Sequence, residues 1–160
     1  LPELAEKVYI HKIVYDEVMV PVCAKEQIDS LIKQGILEIM DESKLAPLEK
    51  KVYEGTYCLL ARIMMNPNRP RKNQGEICSL AIAKTKSIPY FATDEKKLQP
   101  IIDKALNTGM NDIICVRIED VVQKIKSGEL SAFKRKEAKV LWRLAGKRTD
   151  IFDRNIWPVQ

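Results

Sequence analysis

Histidine is almost missing from this chain: His11 is the only one in 160 residues. That scarcity excludes His-rich metal centres and removes the base on which Ser/His/Asp and Cys/His nucleophilic systems depend. Acid–base or metal chemistry then falls to carboxylates. Cysteine offers no alternative, because Cys23, Cys58, Cys78 and Cys115 are widely spaced, form no CxxC pair and sit in apolar surroundings. They read as buried, reduced thiols of a cytoplasmic protein. No apolar run approaches the ~18–20 residues needed to span a bilayer, so no membrane partner is expected. The opening Leu1-Pro2-Glu3 has neither an initiator Met nor the basic start of a signal peptide, which suggests a chain that begins inside a longer one. Only 6 Gly and 8 Pro argue against fibrous or disordered classes.

What is present is ordinary for a globule: 46% hydrophobic and 31% charged residues. At this length a single domain is expected, burying roughly 68–70% of the surface its unfolded chain exposes. Its charge is unevenly placed. Residues 131–160 carry eight basic residues against three acidic ones, which accounts for the whole net charge of +5. Such a basic C-terminal helix and tail is the footprint of polyanion binding, and equally that of a solvated helix face.

Hydrophobic periodicity divides the chain into alternating elements. Leu4, Ala5, Val8 and Tyr9 read as the end of a helix, followed by an extended apolar stretch from Ile13 to Val20 and a break at Pro21. An amphipathic helix over Val22–Lys33 stops at Gly35, a favoured residue just past a helix end. A strand over Ile36–Met40 leads to a long helix from Leu45 to about Met65, with Pro47 tolerable in its first turn. Residues 66–75 form a loop rich in turn formers and positive charge. Then come a helix at Glu76–Lys86, a strand at Tyr90–Thr93, a helix at Glu95–Leu106, a strand at Asp112–Arg117, and helices near Glu119–Lys126 and Ala132–Leu144. This alternation predicts an α/β fold with parallel strands and helices on both faces. Ligands of such sheets bind beyond the carboxyl ends of the strands.

That rule selects few residues. Asp94 follows the strand Tyr90-Phe91-Ala92, although Asp is also a favoured helix cap. Glu76 lies in the first turn of the helix opened by Gly75, where a carboxylate is favoured by the helix dipole whatever its role. Ile77, Leu80, Ala81 and Ala83 form that helix's buried face. In a parallel layout the helix start and the end of the next strand share one sheet edge, so Glu76 and Asp94 are expected to converge.

The stretch Asn73-Gln74-Gly75-Glu76-Ile77-Cys78-Ser79-Leu80-Ala81-Ile82-Ala83, followed by Tyr90-Phe91-Ala92-Thr93-Asp94-Glu95, resembles the PIN-domain family, particularly its prokaryotic toxin-like members. The resemblance implies a PIN-like three-layer α/β/α sandwich with a mainly parallel central sheet, formed by the whole chain as one domain. It also implies three or four carboxylates holding Mg²⁺ or Mn²⁺ for hydrolysis of RNA phosphodiesters, chemistry that suits hard oxygen ligands. Glu76 and Asp94 match the family's pattern. The further ligand is Glu26, Glu17 if the preceding strand stops at Tyr15, or neither. The family's first strand and its terminal Asp have no equivalent before Leu4; Asp16 leaves too little chain before Gly75, so a missing N-terminal strand is expected. Asn73 and Glu95 flank the acids as supporting polar residues. Arg69, Arg71 and Lys72 precede Glu76 and are placed to meet phosphate. Lys134, Arg135, Lys139 and Arg143 form a second basic surface, with Phe133 and Trp142 turned to the core. An antitoxin protein and a homodimer are implied as partners by the resemblance alone. The rival expectation is a non-catalytic PIN-like module that binds RNA or protein with an incomplete acidic site.

Overall fold

The computed structural model describes residues 5–18, 22–69 and 71–158, with side chains for all of these except Val22 and Cys23. The chain is mixed α/β and divides into two compact units. One comprises Leu1–Phe91 and Lys97–Ile114, the other Ala92–Lys96 and Cys115–Gln160.

The first unit opens with strand β1 (Val8–His11), which runs parallel to β2 (Leu37–Met40) in the register Val8–Leu37 to His11–Met40. Helices α1 (Lys12–Glu17) and α2 (Val22–Lys33) lie between them in sequence. Val8–Tyr9 is therefore strand, not the end of a helix, while the part of that expectation resting on Leu4 lies outside the described residues. The apolar stretch from Ile13 is helical as far as Glu17, and Met19–Pro21 also lie outside the described residues. Its β-branched residues favour a strand by propensity. Tertiary and capping contacts reverse that preference: His11 Nδ1 accepts from the Ile13 N–H at 3.2 Å, and the Tyr15 hydroxyl donates to Asp29 of α2 at 2.7 Å.

Helix α3 (Pro47–Met64) begins with proline at a position where its missing N–H costs nothing, and Glu49 accepts the Ala46 N–H at 3.1 Å. It packs along α4 (Gln74–Thr85), which is buried on almost every side through Gly75, Ile77, Cys78, Leu80, Ala81, Ile82 and Ala83. Cys58, by contrast, is exposed on α3, contrary to the expectation of buried thiols.

Strands β3 (Tyr90–Ala92) and β4 (Ile114–Val116) form a second two-stranded pair, so the described strands make two pairs. Helix α5 spans Leu98–Ala105, not Glu95–Leu106. Pro100 explains the later start: in a helix running from Glu95 it would lack the donor for the Lys96 carbonyl and clash with it, whereas from Leu98 it occupies the first turn.

In the second unit, α6 (Ile118–Ser127) and α7 (Arg135–Leu144) pack through Val122, Ile125, Ala138 and Trp142. A short helix α8 (Thr149–Ile151) and a wide π-type turn at Phe152–Ile156 bring the fully buried Phe152 onto the ring of Trp142, 5.9 Å between centroids. Phe133 packs against the same core. Among the described residues no helix is long and apolar enough to cross a membrane.

Candidate carboxylate site and basic groove

The start of α4 is set by Asn73, whose left-handed backbone (φ 65°) turns the chain into the helix while its amide donates to the Met64 carbonyl at 2.9 Å. That bond closes the loop between α3 and α4. The Asn73 amide nitrogen is thus committed to loop geometry. Gly75 follows in the first turn, and a Cβ placed there would stand 3.1 Å from Val14 Cγ2 and 3.6 Å from Glu17 Oε2. Helix α1 therefore presses on the start of α4 through Val14, with the Glu17 carboxylate at ordinary contact distance from residue 75. Glu76, half-buried, is the next residue along. Both alternatives for the further acid are exposed, and Glu17 is the one that lies against α4, while Glu26 is on α2.

Positive charge is close in sequence. Arg69, Arg71 and Lys72 are exposed on a loop folded by the Asn66–Arg69 bridge and by an Asn68 N–H donated to Asn66 Oδ1 at 2.9 Å. Behind the helix start, burial pushes the Cys78 thiol up, opposed by its hydrogen bond with Tyr53 and reinforced by the charges of Glu42 and Glu17. A buried, protonated thiol is a packing group there, not a nucleophile.

Asp94 belongs to the other unit. It does not open α5. Its carboxylate instead lies 3.5 Å from the Lys147 ammonium and at a long 3.5 Å from the Ile118 N–H at the start of α6. Lys147 also approaches Glu119 at 3.4 Å and lies over the Trp142 ring at 5.4 Å. Neither Lys147 nor Glu119 was singled out by the sequence, because nothing in local spacing links residues 94, 119 and 147. Glu95 is exposed, and its N–H donates to Thr93 Oγ1 at 3.1 Å.

The basic C-terminal surface divides into pinned and unpinned charges. Arg135 and Lys139 hold opposite oxygens of Asp153 at 2.6 and 2.5 Å, and Arg135 also donates to the Trp157 carbonyl. The Lys139 ammonium and the Arg135 guanidinium hold the Asp153 carboxyl below the usual carboxylate range. Lys134 caps α7, its N–H accepted by Glu137 at 3.0 Å. Arg143 is exposed and lines an open concavity of about 420 Å³ together with Arg135, Lys136, Lys139, Val140 and Thr149. Lys136 is the cation that the sequence reading left out, although its spacing of three and seven residues from Lys139 and Arg143 puts all three on one helical face.

Among the described residues no group of three or more His, Cys, Asp and Glu side chains is gathered as a metal cluster. The carboxylates of Glu17 and Glu76 nevertheless fit a hard divalent cation by donor type, since Mg²⁺ is commonly held by one or two carboxylates, water and substrate phosphate. A Cβ at residue 75 would crowd Val14 and would stand at ordinary contact distance from the Glu17 carboxylate. Searches of family models, curated proteins and solved structures return no match to this chain.

Proposed function

We propose that this chain is a metal-dependent ribonuclease of PIN type, folded as a PIN-like α/β/α sandwich, with Glu17 and Glu76 as ligands for Mg²⁺ or Mn²⁺. The observation that carries this reading is the seating of the Glu17 carboxylate against Gly75, beside Glu76 at the first turn of α4. Glu76 lies in the first turn of α4, where the positive end of the helix dipole favours a carboxylate. Glu17 and Glu76 would hold the ion, which would supply an activated water and charge neutralisation at a scissile phosphate. Arg69, Arg71 and Lys72 bind and orient the RNA backbone near that helix start, and the α7 groove anchors a further stretch of backbone through Lys136 and Arg143.

A second reading, a PIN-like RNA-binding module without hydrolysis, is favoured by one specific feature. The Asp94 carboxylate already lies 3.5 Å from the Lys147 ammonium.

Incubation with single-stranded and structured RNA, in Mn²⁺ or in chelator, separates the two. Cleavage that needs Mn²⁺ and disappears in Glu17→Gln and Glu76→Gln supports the nuclease. Retained RNA binding with no cleavage under any metal condition supports the module. Metal-dependent cleavage that survives both substitutions removes these two residues from the mechanism.

A further inference from the structure

The side chain of His11 joins the ends of the two parallel strands of the first unit. It closes β1, is 4% exposed, and stacks on Tyr53 of α3 with 6.4 Å between ring centroids and 4° between planes. Its two nitrogens face different partners. Nδ1 accepts the Ile13 N–H at 3.2 Å and so caps α1, which puts the proton of the neutral ring on Nε2. Nε2 has no hydrogen-bond partner among the described residues, although Glu42 Oε2, in the turn after β2, stands 3.2 Å away. The ring is thus oriented for the cap at the expense of the carboxylate.

We propose that His11 is a proton-sensitive latch on α1: neutral, it caps the helix and holds Val14 and Glu17 against α4; protonated, it turns to Glu42 and lets α1 go. An imidazolium has no acceptor, so Nδ1–H then meets the Ile13 N–H donor to donor. Nε2–H meanwhile becomes half of a charge-assisted bond to Glu42, roughly twice as strong as the neutral bond it displaces. Six-residue α1 cannot hold its shape without its contacts, and loss of the cap should raise its opening roughly two- to thirtyfold. The latch does not depend on the nuclease reading; only the loss of a metal ligand in acid does.

His11 shares this corner with groups from every element around it. Burial pushes the Tyr53 and Tyr57 hydroxyls of α3 and the Cys78 thiol of α4 up, which keeps all three neutral in acid. The bonds from Ser43 hold Asp41 below the usual carboxylate range. On α1 itself, Lys12 is paired with Asp16 at 2.6 Å. Desolvation of the ring sets its release below the ordinary imidazole range, with Glu42 and Asp41 pulling it back up.

The experiment is an NMR titration of the chain from about pH 7.5 to 5, following the His11 ring nitrogens, the Ile13 amide and the contact between the Val14 methyls and Gly75. In the wild type all three should move on one curve. The Val14 contact should fade, and Ile13 exchange, corrected for its intrinsic rate, should quicken roughly two- to thirtyfold while residues 80–83 of α4 stay protected. His11→Asn, whose side-chain oxygen caps without titrating, should keep the contact at every pH. Glu42→Gln should move the release to lower pH, because the imidazolium loses its carboxylate. Glu42 is half-exposed, so this variant tests the latch even where the buried substitution unfolds the chain. A ring that stays neutral throughout, a ring that charges while Ile13 and the Val14 contact do not move, a transition that persists in His11→Asn, or one unmoved in Glu42→Gln would each overturn the proposal.

Discussion

Gly75 and Gly55 make a matched pair for testing whether α1 really presses on α4. Both are helical glycines without a left-handed backbone, so Ala at either position removes the same helix penalty, about 0.5–1 kcal/mol. At Gly55 nothing opposes the gain, and Gly55→Ala should raise the melting temperature by about 1–4 °C for a chain of this size. At Gly75 the new Cβ arrives 3.1 Å from Val14 Cγ2, which must yield by a few tenths of an ångström. Overpacking of this kind costs ~1–3 kcal/mol, and the small shift required puts it at the lower end. Gly75→Ala should thus come out neutral or destabilising by up to about 1 kcal/mol, at least ~1 kcal/mol below the Gly55 variant. In a Val14→Ala background the opposing methyl is gone, and Gly75→Ala should stabilise as Gly55→Ala does, a coupling of about 1 kcal/mol in the double-mutant cycle. Both tryptophans, Trp142 and Trp157, lie in the other unit, so fluorescence would follow the wrong part of the chain. Hydrogen exchange at the α4 amides reports on the right one. Equal stabilisation by the two substitutions, with no coupling to Val14, would show that α1 stands clear of α4 and would remove Glu17 from the site.

Titration with Mn²⁺ should raise the melting temperature of the wild type and of Glu26→Gln but not of Glu17→Gln or Glu76→Gln; at a hundredfold excess over Kd the gain is about 2.7 kcal/mol, and an equal shift in all four would place the ion elsewhere. Burial holds the His11 imidazole below its ordinary value against the opposing pull of Glu42 and Asp41. The unfolded chain then takes up this proton first as pH falls, so the contribution from His11 is intact above about pH 6.5 and declines from there toward its lowered folded value. Urea midpoints between pH 7.5 and 5 should fall for the wild type and flatten in His11→Gln; a midpoint that rises on acidification refutes the assignment. Asp153→Asn should free Arg135 and Lys139 from their shared carboxylate, so that the protein elutes from heparin at higher salt and its RNA affinity falls more steeply with salt. Unchanged elution would show that these two cations do not reach phosphate.

Most of the fold was legible where the chain carries its own punctuation. Helix α2 spans Val22–Lys33 as its periodicity predicts, with Gly35 left-handed just beyond it at φ 71°. Pro47 opens α3, and the turn formers of residues 66–73 separate α3 from α4. The same rule, applied fully, would have moved the start of α5, because Pro100 limits how early that helix can begin. The errors fall on segments too short to hold themselves. Six-residue α1 has no stability of its own, helix nucleation being costly, so its β-branched composition says strand while its contacts with α2 and α4 make it helix. No local pattern announces α8 or the π-type turn either, since both exist to bring Phe152 against Trp142 and Trp157.

The order of preference between Glu26 and Glu17 rests on that same strand reading. Reading Ile13–Val20 as a strand carries the chain past Glu17 and directs attention to Glu26, one turn beyond Pro21. Once residues 12–17 are helical, with Val14 placed against Gly75, Glu17 lies one turn further along α1 on the same face, because residues three apart on a helix are neighbours. Val14 and Glu17 are therefore a single spacing that points at Gly75, and the missing side chain of Gly75 is what admits Val14. That relation was available in the sequence as a glycine opening a buried helix, which signals close approach of something, but not of what. The identity of the approaching group depends on whether α1 coils, and α1 coils only because of the contacts it makes, so the local sequence could offer Glu17 only as one alternative beside Glu26.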